Sequence, residues 1–190
     1  MYPIALKTNS LHMSEDEFLQ FCRDNPDLNL ERNSNRDIII MAPTVYETGN
    51  FNSELIYQVA DWNIKRGRPG YCFDSNTGIT LPNGAVRSPD VSWVSKERHL
   101  ALPEGELKIF AHVCPDFIIE LRSVSDSLST LKLKMEEYIE NGCRLGFLID
   151  PAEKNVHIYK PGSASIKSFS DVITGENVLE GFVLDLSFMG

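Results

Sequence analysis

Asp116-Phe-Ile-Ile-Glu120-Leu-Arg122 is the stretch on which the fold turns. Its alternation places Phe117, Ile119 and Leu121 on one face and Ile118, Glu120 and Arg122 on the other, the pattern of a strand buried on both sides. A carboxylate in the middle of an apolar strand is costly to bury unless something positive pairs with it. Arg122 lies ~6.6 Å along the same face at strand rise, and a bound cation would supply more charge. A helical pattern follows over Ser127–Asn141, with Leu128, Leu131, Met135, Tyr138 and Ile139 on one side and Gly142 just past the end. Strand patterns resume at 145–149 and 156–160, around the turn Asp150-Pro151.

Working outward toward the N-terminus, Leu55, Val59 and Trp62 recur at helical spacing and predict a helix from Asn52 to Lys65, ended by Gly67. Its polar column holds Glu54, Gln58 and Asp61. Three strands are expected next, over 70–73, 78–81 and 86–94, with turns at Ser75-Asn76 and Pro82-Asn-Gly84. Further upstream, Ser14-Glu-Asp-Glu17 reads as a capping box opening a short helix that Asn25-Pro26 stops. Leu28–Glu31 and Asp37–Met41 then read as a hairpin around Asn33-Ser-Asn35. This order predicts an α/β (α+β) sandwich with a mixed central sheet, preceded by an N-terminal helix plus hairpin, not a doubly wound repeat. No glycine-rich loop follows a strand, so no nucleotide cofactor is expected.

No repeat or linker divides the 190 residues, and one domain over 1–190 is expected, its core at about 50–160. Hydrophobic residues make up 42% and charged residues 24%, which excludes a largely disordered chain. No apolar run nears the ~20 residues that cross a bilayer, so no membrane partner is expected. Lys7 is followed by Thr-Asn-Ser and an acidic stretch, not by the apolar run of a secretory signal, which points to the cytoplasm. Cys22, Cys72, Cys114 and Cys143 form no zinc-ligand spacing and read as reduced, with Cys143 placed in the helical pattern. The formal net charge of -9 argues against a scanning, histone-like binder. The charge sits at the ends: residues 1–31 hold six acids against two bases and 171–190 four against none, while 32–170 hold 17 against 16. A nearly neutral middle leaves room for a local nucleic-acid site.

Asp90, in Arg87-Ser-Pro-Asp90, begins a strand and is able to lie beside Glu120 on an adjacent one. Two paired carboxylates of this kind grip one divalent ion, and hard oxygen donors suit Mg²⁺. Asp116 repeats the Pro-Asp dipeptide, but it is ~13 Å from Glu120 along one strand and is expected only to start it.

Residues in a wider set of stretches extend this pattern. They include Thr48-Gly-Asn-Phe-Asn-Ser-Glu54-Leu, Phe73-Asp-Ser-Asn-Thr-Gly78, Arg87-Ser-Pro-Asp90, Pro115-Asp-Phe-Ile-Ile-Glu120-Leu-Arg-Ser123, Lys134-Met-Glu-Glu-Tyr138 and Leu148-Ile-Asp-Pro151. In this order the chain resembles the PD-(D/E)XK nuclease superfamily and, within it, the Uma-type restriction endonuclease family. The resemblance implies a restriction-endonuclease-like αβββαβ core, with Asp90 and Glu120 as metal carboxylates and Glu54 as a third acid near the ion. It implies an Mg²⁺- or Mn²⁺-dependent endonuclease acting on DNA, and a homodimer, since cutting both strands takes two sites. Arg122 stands where the superfamily has lysine. Arginine stays charged and grips phosphate as a fork, and the resemblance implies that a lysine on the following helix stands in for the strand lysine, a position that Lys134 occupies. Arg122 and Lys134 are therefore expected to orient the attacking water and neutralise the scissile phosphate. The competing expectation is a catalytically weak or inactive module of the same fold that binds nucleic acid or a protein partner.

The remaining candidates have plainer readings. Tyr138, Trp62 and Trp93 belong in the core, and Asp150 forms a turn. His12, His99, His112 and His157 share no spacing, and Lys65-Arg-Gly-Arg68 reads as a solvated helix end.

Overall fold

Ser14 accepts a hydrogen bond from the Glu17 amide at 3.2 Å and its own amide donates to the Glu17 carboxylate at 2.7 Å, so both arms of the expected capping box are made. The computed structural model describes residues 4–6 and 13–190; His12 and the Lys7 stretch lie outside them. In chain order the elements are β1 (Ile4–Leu6), α1 (Glu15–Asp24), β2 (Asn29–Arg32), β3 (Ile38–Met41), α2 (Tyr46–Lys65), β4 (Gly70–Asp74), β5 (Ile79–Thr80) and β6 (Val86–Arg87). There follow β7 (Val91–Ser95), α3 (Lys96–Leu100), β8 (Phe117–Leu121), α4 (Leu128–Glu140), β9 (Leu145–Asp150), β10 (Asn155–Lys160), β11 (Ser163–Ser168), β12 (Ile173–Thr174) and β13 (Val183–Leu184).

The main sheet has the order β11-β10-β9-β8-β7-β4. Every pairing is antiparallel except β8 with β9, which α4 connects, so the sheet is mixed as expected. Strand alternation sends Phe117, Ile119 and Leu121 to one face, against Leu55, Val59 and Trp62 of α2. Ile118 and Leu148 turn to the other face, against Met135 and Tyr138 of α4. The order α2-β4-β7-β8-α4-β9 is the αβββαβ core that the resemblance implies. A second sheet, β1-β3-β2-β6-β5, packs under α1 through Phe18, Leu30, Ile38 and Val86. Trp62 and Trp93 are core residues in edge contact at 5.6 Å, and the four cysteines are free thiols. Among the described residues no helix is long and apolar enough to cross a membrane.

Three expectations shift. Helix α2 starts at Tyr46, not Asn52: Thr48 is buried and Phe51 packs edge-on against Phe188 at 5.7 Å, so tertiary packing carries the helix through the weak formers Gly49 and Asn50. The run 86–94 divides between the two sheets at Pro89, which has no amide proton for a ladder. Thus β5 and β6 form the hairpin around Gly84 (φ 82°) in the small sheet, while β4 pairs with β7. Cys143 lies beyond α4 and is buried there.

Gly70 marks a close approach of backbone to backbone. Its amide donates to Asn63 Oδ1 at 3.2 Å, Trp93 Nε1 donates to the same oxygen at 3.0 Å, and a Cβ would press on the Val94 carbonyl and the Trp93 ring. Gly70→Ala is expected to destabilise the fold by ~1–3 kcal/mol through overpacking, read from the urea midpoint; an unchanged midpoint would show that the strand has slack here.

Candidate active site

The site is built on the antiparallel register of β7 and β8. Val91 faces Ile119 and Trp93 faces Phe117, so the next step of the register brings Asp90 opposite Glu120. Asp90 sits just before β7, where Pro89 has freed the chain from the small sheet. Its Oδ2 accepts the Leu121 amide at 2.8 Å, and its Oδ1 accepts Asn52 Nδ2 at 3.1 Å. Glu120 is buried on the α4 side of the sheet. Its Oε1 receives the Tyr138 hydroxyl at 3.0 Å and the Lys134 ammonium at 2.9 Å; 134 and 138 are one helical turn apart and so share a face.

Lys134 Nζ lies equally close, 2.9 Å, to Glu31 Oε1. Glu31 comes from β2 in the other sheet and is itself buried. It also accepts the Ser88 amide at 3.0 Å and pairs with the Arg87 guanidinium at 3.0 Å. Arg87 is shared in turn with Glu137 of α4, its Nε donating at 2.7 Å. A continuous network therefore runs Glu137–Arg87–Glu31–Lys134–Glu120, with Asp90 at its open end.

Burial and charge act against each other here. Burial pushes the Glu120 carboxyl up to about 7; Lys134 opposes the rise, while Asp90 and Glu31 reinforce it. Asp90 is likewise raised by burial, against the Leu121 amide and the Lys134 charge. For Lys134, burial disfavours the charge, but Glu120 and Glu31 outweigh it and hold the ammonium above its ordinary range. For Glu31 the burial penalty is overcome by Lys134 and Arg87, and its carboxyl is lowered. Four carboxylates (Asp90, Glu120, Glu31 and Glu137) thus meet two cations, Lys134 and Arg87, an excess of negative charge beside a cleft of about 700 Å³. Asn29, Thr44, Asn52 and Ser123 help to line that cleft.

The other expected site residues lie elsewhere. Glu54 is exposed on α2 and does not line the cleft; Asn52, two residues earlier, is the α2 side chain that reaches Asp90. Arg122 follows the last residue of β8 and turns to Asp150, Nη1 to Oδ2 at 2.7 Å, with Nε donating to the Asp126 carbonyl at 3.4 Å. Parallel pairing makes those two neighbours, since Leu121 faces Ile149. Asp150 also caps its turn by accepting the Ala152 amide at 3.1 Å. Asp116 is held at the head of β8 by the Ser95 amide at 2.8 Å and by Arg98 at 3.2 Å. His112 bridges Glu15 and Glu106, His99 stacks on Tyr71, and His157 is buried on β10; none lines the cleft.

Sequence reasoning missed Glu31, Arg87 and Asn52, and saw Tyr138 only as a core residue. Arg87 stood inside a quoted motif and Tyr138 one turn from Lys134. Glu31 carries no such signal, because its role depends on how the hairpin docks. Glu31→Gln breaks a buried ion network while Lys134 and Arg87 remain, and should cost about 3–5 kcal/mol in chemical denaturation. Adding Arg87→Met should recover part of that loss, which two independent sites would not do.

The Uma2 family model, described as "Putative restriction endonuclease", matches residues 15–187. The crystal structure of "a putative nuclease belonging to DUF820" from Anabaena variabilis superposes with a TM-score of 0.74 at 20% identity, over 93% of this chain and 97% of that one. At this identity the likeness is one of fold. No curated protein matches this sequence.

Proposed function

This chain belongs to the Uma2 family, described as "Putative restriction endonuclease", and from that premise we propose that it is a divalent-metal-dependent endonuclease that hydrolyses DNA phosphodiester bonds. The observation that carries the reading is the convergence of Asp90 and Glu120 across one strand pair, with Lys134 at 2.9 Å from Glu120.

The residues present fit a divalent ion. Among the described residues no group of three or more His, Cys, Asp or Glu forms a cage. Mg²⁺ is ordinarily held by one or two carboxylates, waters and substrate phosphate, and Asp90 and Glu120 supply such a pair. Asn52 Oδ1 is buried without a partner beside Asp90, and both partners of Glu120 fall on Oε1. The local excess of negative charge is of the sign that a cation relieves. When bound, Mg²⁺ or Mn²⁺ supplies a water of lowered pKa and offsets charge on the phosphodiester.

The chain's own groups do the rest. The Leu121 amide and Asn52 hold the Asp90 carboxylate in one orientation, and Tyr138 does the same for Glu120. Lys134 stays protonated, so it acts as a fixed positive charge toward the phosphate and not as a base. Arg122 has no part in this chemistry: its partner is Asp150, and its service is to the β8–β9 junction. Glu54 likewise stands apart. Cleavage of both strands calls for two copies acting together, so a homodimer belongs to the proposal.

Plasmid nicking with Mn²⁺ tests it. Asp90→Asn and Lys134→Met should each slow nicking by about 10²–10³-fold, the range for loss of a preorganised charge. Arg122→Met should lower stability and slow nicking far less than Lys134→Met. Equal nicking by wild type and Asp90→Asn would overturn the proposal in favour of a non-catalytic binding module.

A further inference from the structure

The resemblance assigns the contribution of α2 to an acid, Glu54, but the cleft receives an amide instead. Two residues turn a helix by about 200°, so Glu54 and Asn52 point to opposite sides of α2. Of the two, Asn52 lines the cleft and Glu54 is exposed outside it. Asn52 Nδ2 donates to Asp90 Oδ1 at 3.1 Å, while Asn52 Oδ1 is buried and accepts no hydrogen bond. Chemistry fixes this orientation. Turning the amide over would set its oxygen against a carboxylate oxygen of Asp90, whose Oδ2 already takes the Leu121 amide.

A buried acceptor without a donor costs about 1–3 kcal/mol. Among the described residues five buried side-chain atoms lack a partner, on Arg32, Asn52, Ser92, Asn155 and His157, and Asn52 is the one of these residues that lines the cleft. The surroundings favour a cation as the missing partner. Asp90 and Glu120 meet across the strand pair, and Asp126 adds its charge to that around Asp90. Lys134, the one Lys or Arg lining the cleft among the described residues, is shared between Glu31 and Glu120. An amide oxygen is a hard donor of the class that Mg²⁺, Mn²⁺ and Ca²⁺ accept.

We infer that Asn52 gives its Oδ1 to the divalent ion of Asp90 and Glu120, as an uncharged third oxygen ligand supplied by α2. The inference rests on the metal-dependent reading of the site and adds a ligand to it. One side chain then serves twice, Nδ2 orienting Asp90 and Oδ1 meeting the ion. Because the added ligand is neutral, the ion is held by two carboxylates and is bound less tightly than three would bind it.

The test is Mn²⁺ binding to the full chain, read from the EPR signal of free Mn²⁺. Wild type should bind the ion at a site that Asp90→Asn removes. Asn52→Ala should weaken binding by about tenfold or more, at least what losing an outer-shell partner costs. Asn52→Asp separates the two duties, since it keeps an oxygen and the side-chain volume but gives up the N–H to Asp90. A ligand oxygen that gains charge should tighten binding by about tenfold. Thr44→Asp, at an exposed cleft-lining position, adds the same charge without a ligand and should change affinity by less than about threefold because of screening. Weaker binding by Asn52→Asp would reduce Asn52 to a positioning residue for Asp90 and overturn the inference. So would equal tightening by Thr44→Asp, unchanged affinity in Asn52→Ala, or no Mn²⁺ bound by wild type. Cleavage is not read here, so the two readings fail separately. The expected Mn²⁺ series without plasmid nicking removes only the nuclease reading; nicking that Asp90→Asn abolishes, with Mn²⁺ bound more weakly by Asn52→Asp, removes only this one.

Discussion

One buried ammonium ties the six-stranded main sheet to the five-stranded small one. Lys134 lies 2.9 Å from Glu120 in the main sheet and 2.9 Å from Glu31 in the small one. Taking any of these charges out of water alone would be prohibitive, and their mutual attraction is what makes the burial tolerable. The N-terminal hairpin is therefore more than an appendage. It supplies the second carboxylate that holds Lys134 charged, and Arg87 and Glu137 extend the same balance along the same side of α4. Such networks fix geometry more than they add stability, because each member's position is set by the others.

Against that fixed charge, the open end of the network is the cleft. Asp90 reaches it because the chain leaves the small sheet at Arg87 and joins the main sheet at Val91, placing a Ser-Pro-Asp corner between two ladders. A proline suits this corner because an amide proton there would have no ladder to enter. The same corner delivers the Ser88 amide to Glu31 and the Asp90 carboxylate to the Leu121 amide. One short segment thus connects both halves of the site.

Arg122 and Lys134 show where strand arithmetic stops being reliable. Alternation puts Arg122 on the face of Glu120, and that holds only while the strand continues. Strand β8 ends at Leu121, and the buried Asp150 on the neighbouring parallel strand draws the guanidinium away. Lys134 has no strand constraint. Its place on α4, one turn before Tyr138, brings both polar ends to Glu120. Helix α2 carries a similar lesson: Glu54 was the visible acid, but the face turned toward Asp90 belongs to Asn52.

Much of the fold was legible in the residues alone. The capping box, the hairpin at Gly84, the alternation of 117–121 and the helical stripe of 128–139 are local patterns, decided by neighbours a few positions away, and they carry the order of helices and strands. The ordered motifs also pointed to the family and to Asp90, Glu120 and Lys134, which line one cleft. What the sequence left open was most of the contacts between segments distant along the chain. The docking of Glu31, the turning of Arg122 to Asp150, the early start of α2 and the C-terminal strands that complete the core depend on which surfaces meet, and no local periodicity encodes that. Pairing of buried charges is a tertiary property, because the partner that makes burial affordable lies as far as a hundred residues away: Glu31 for Lys134.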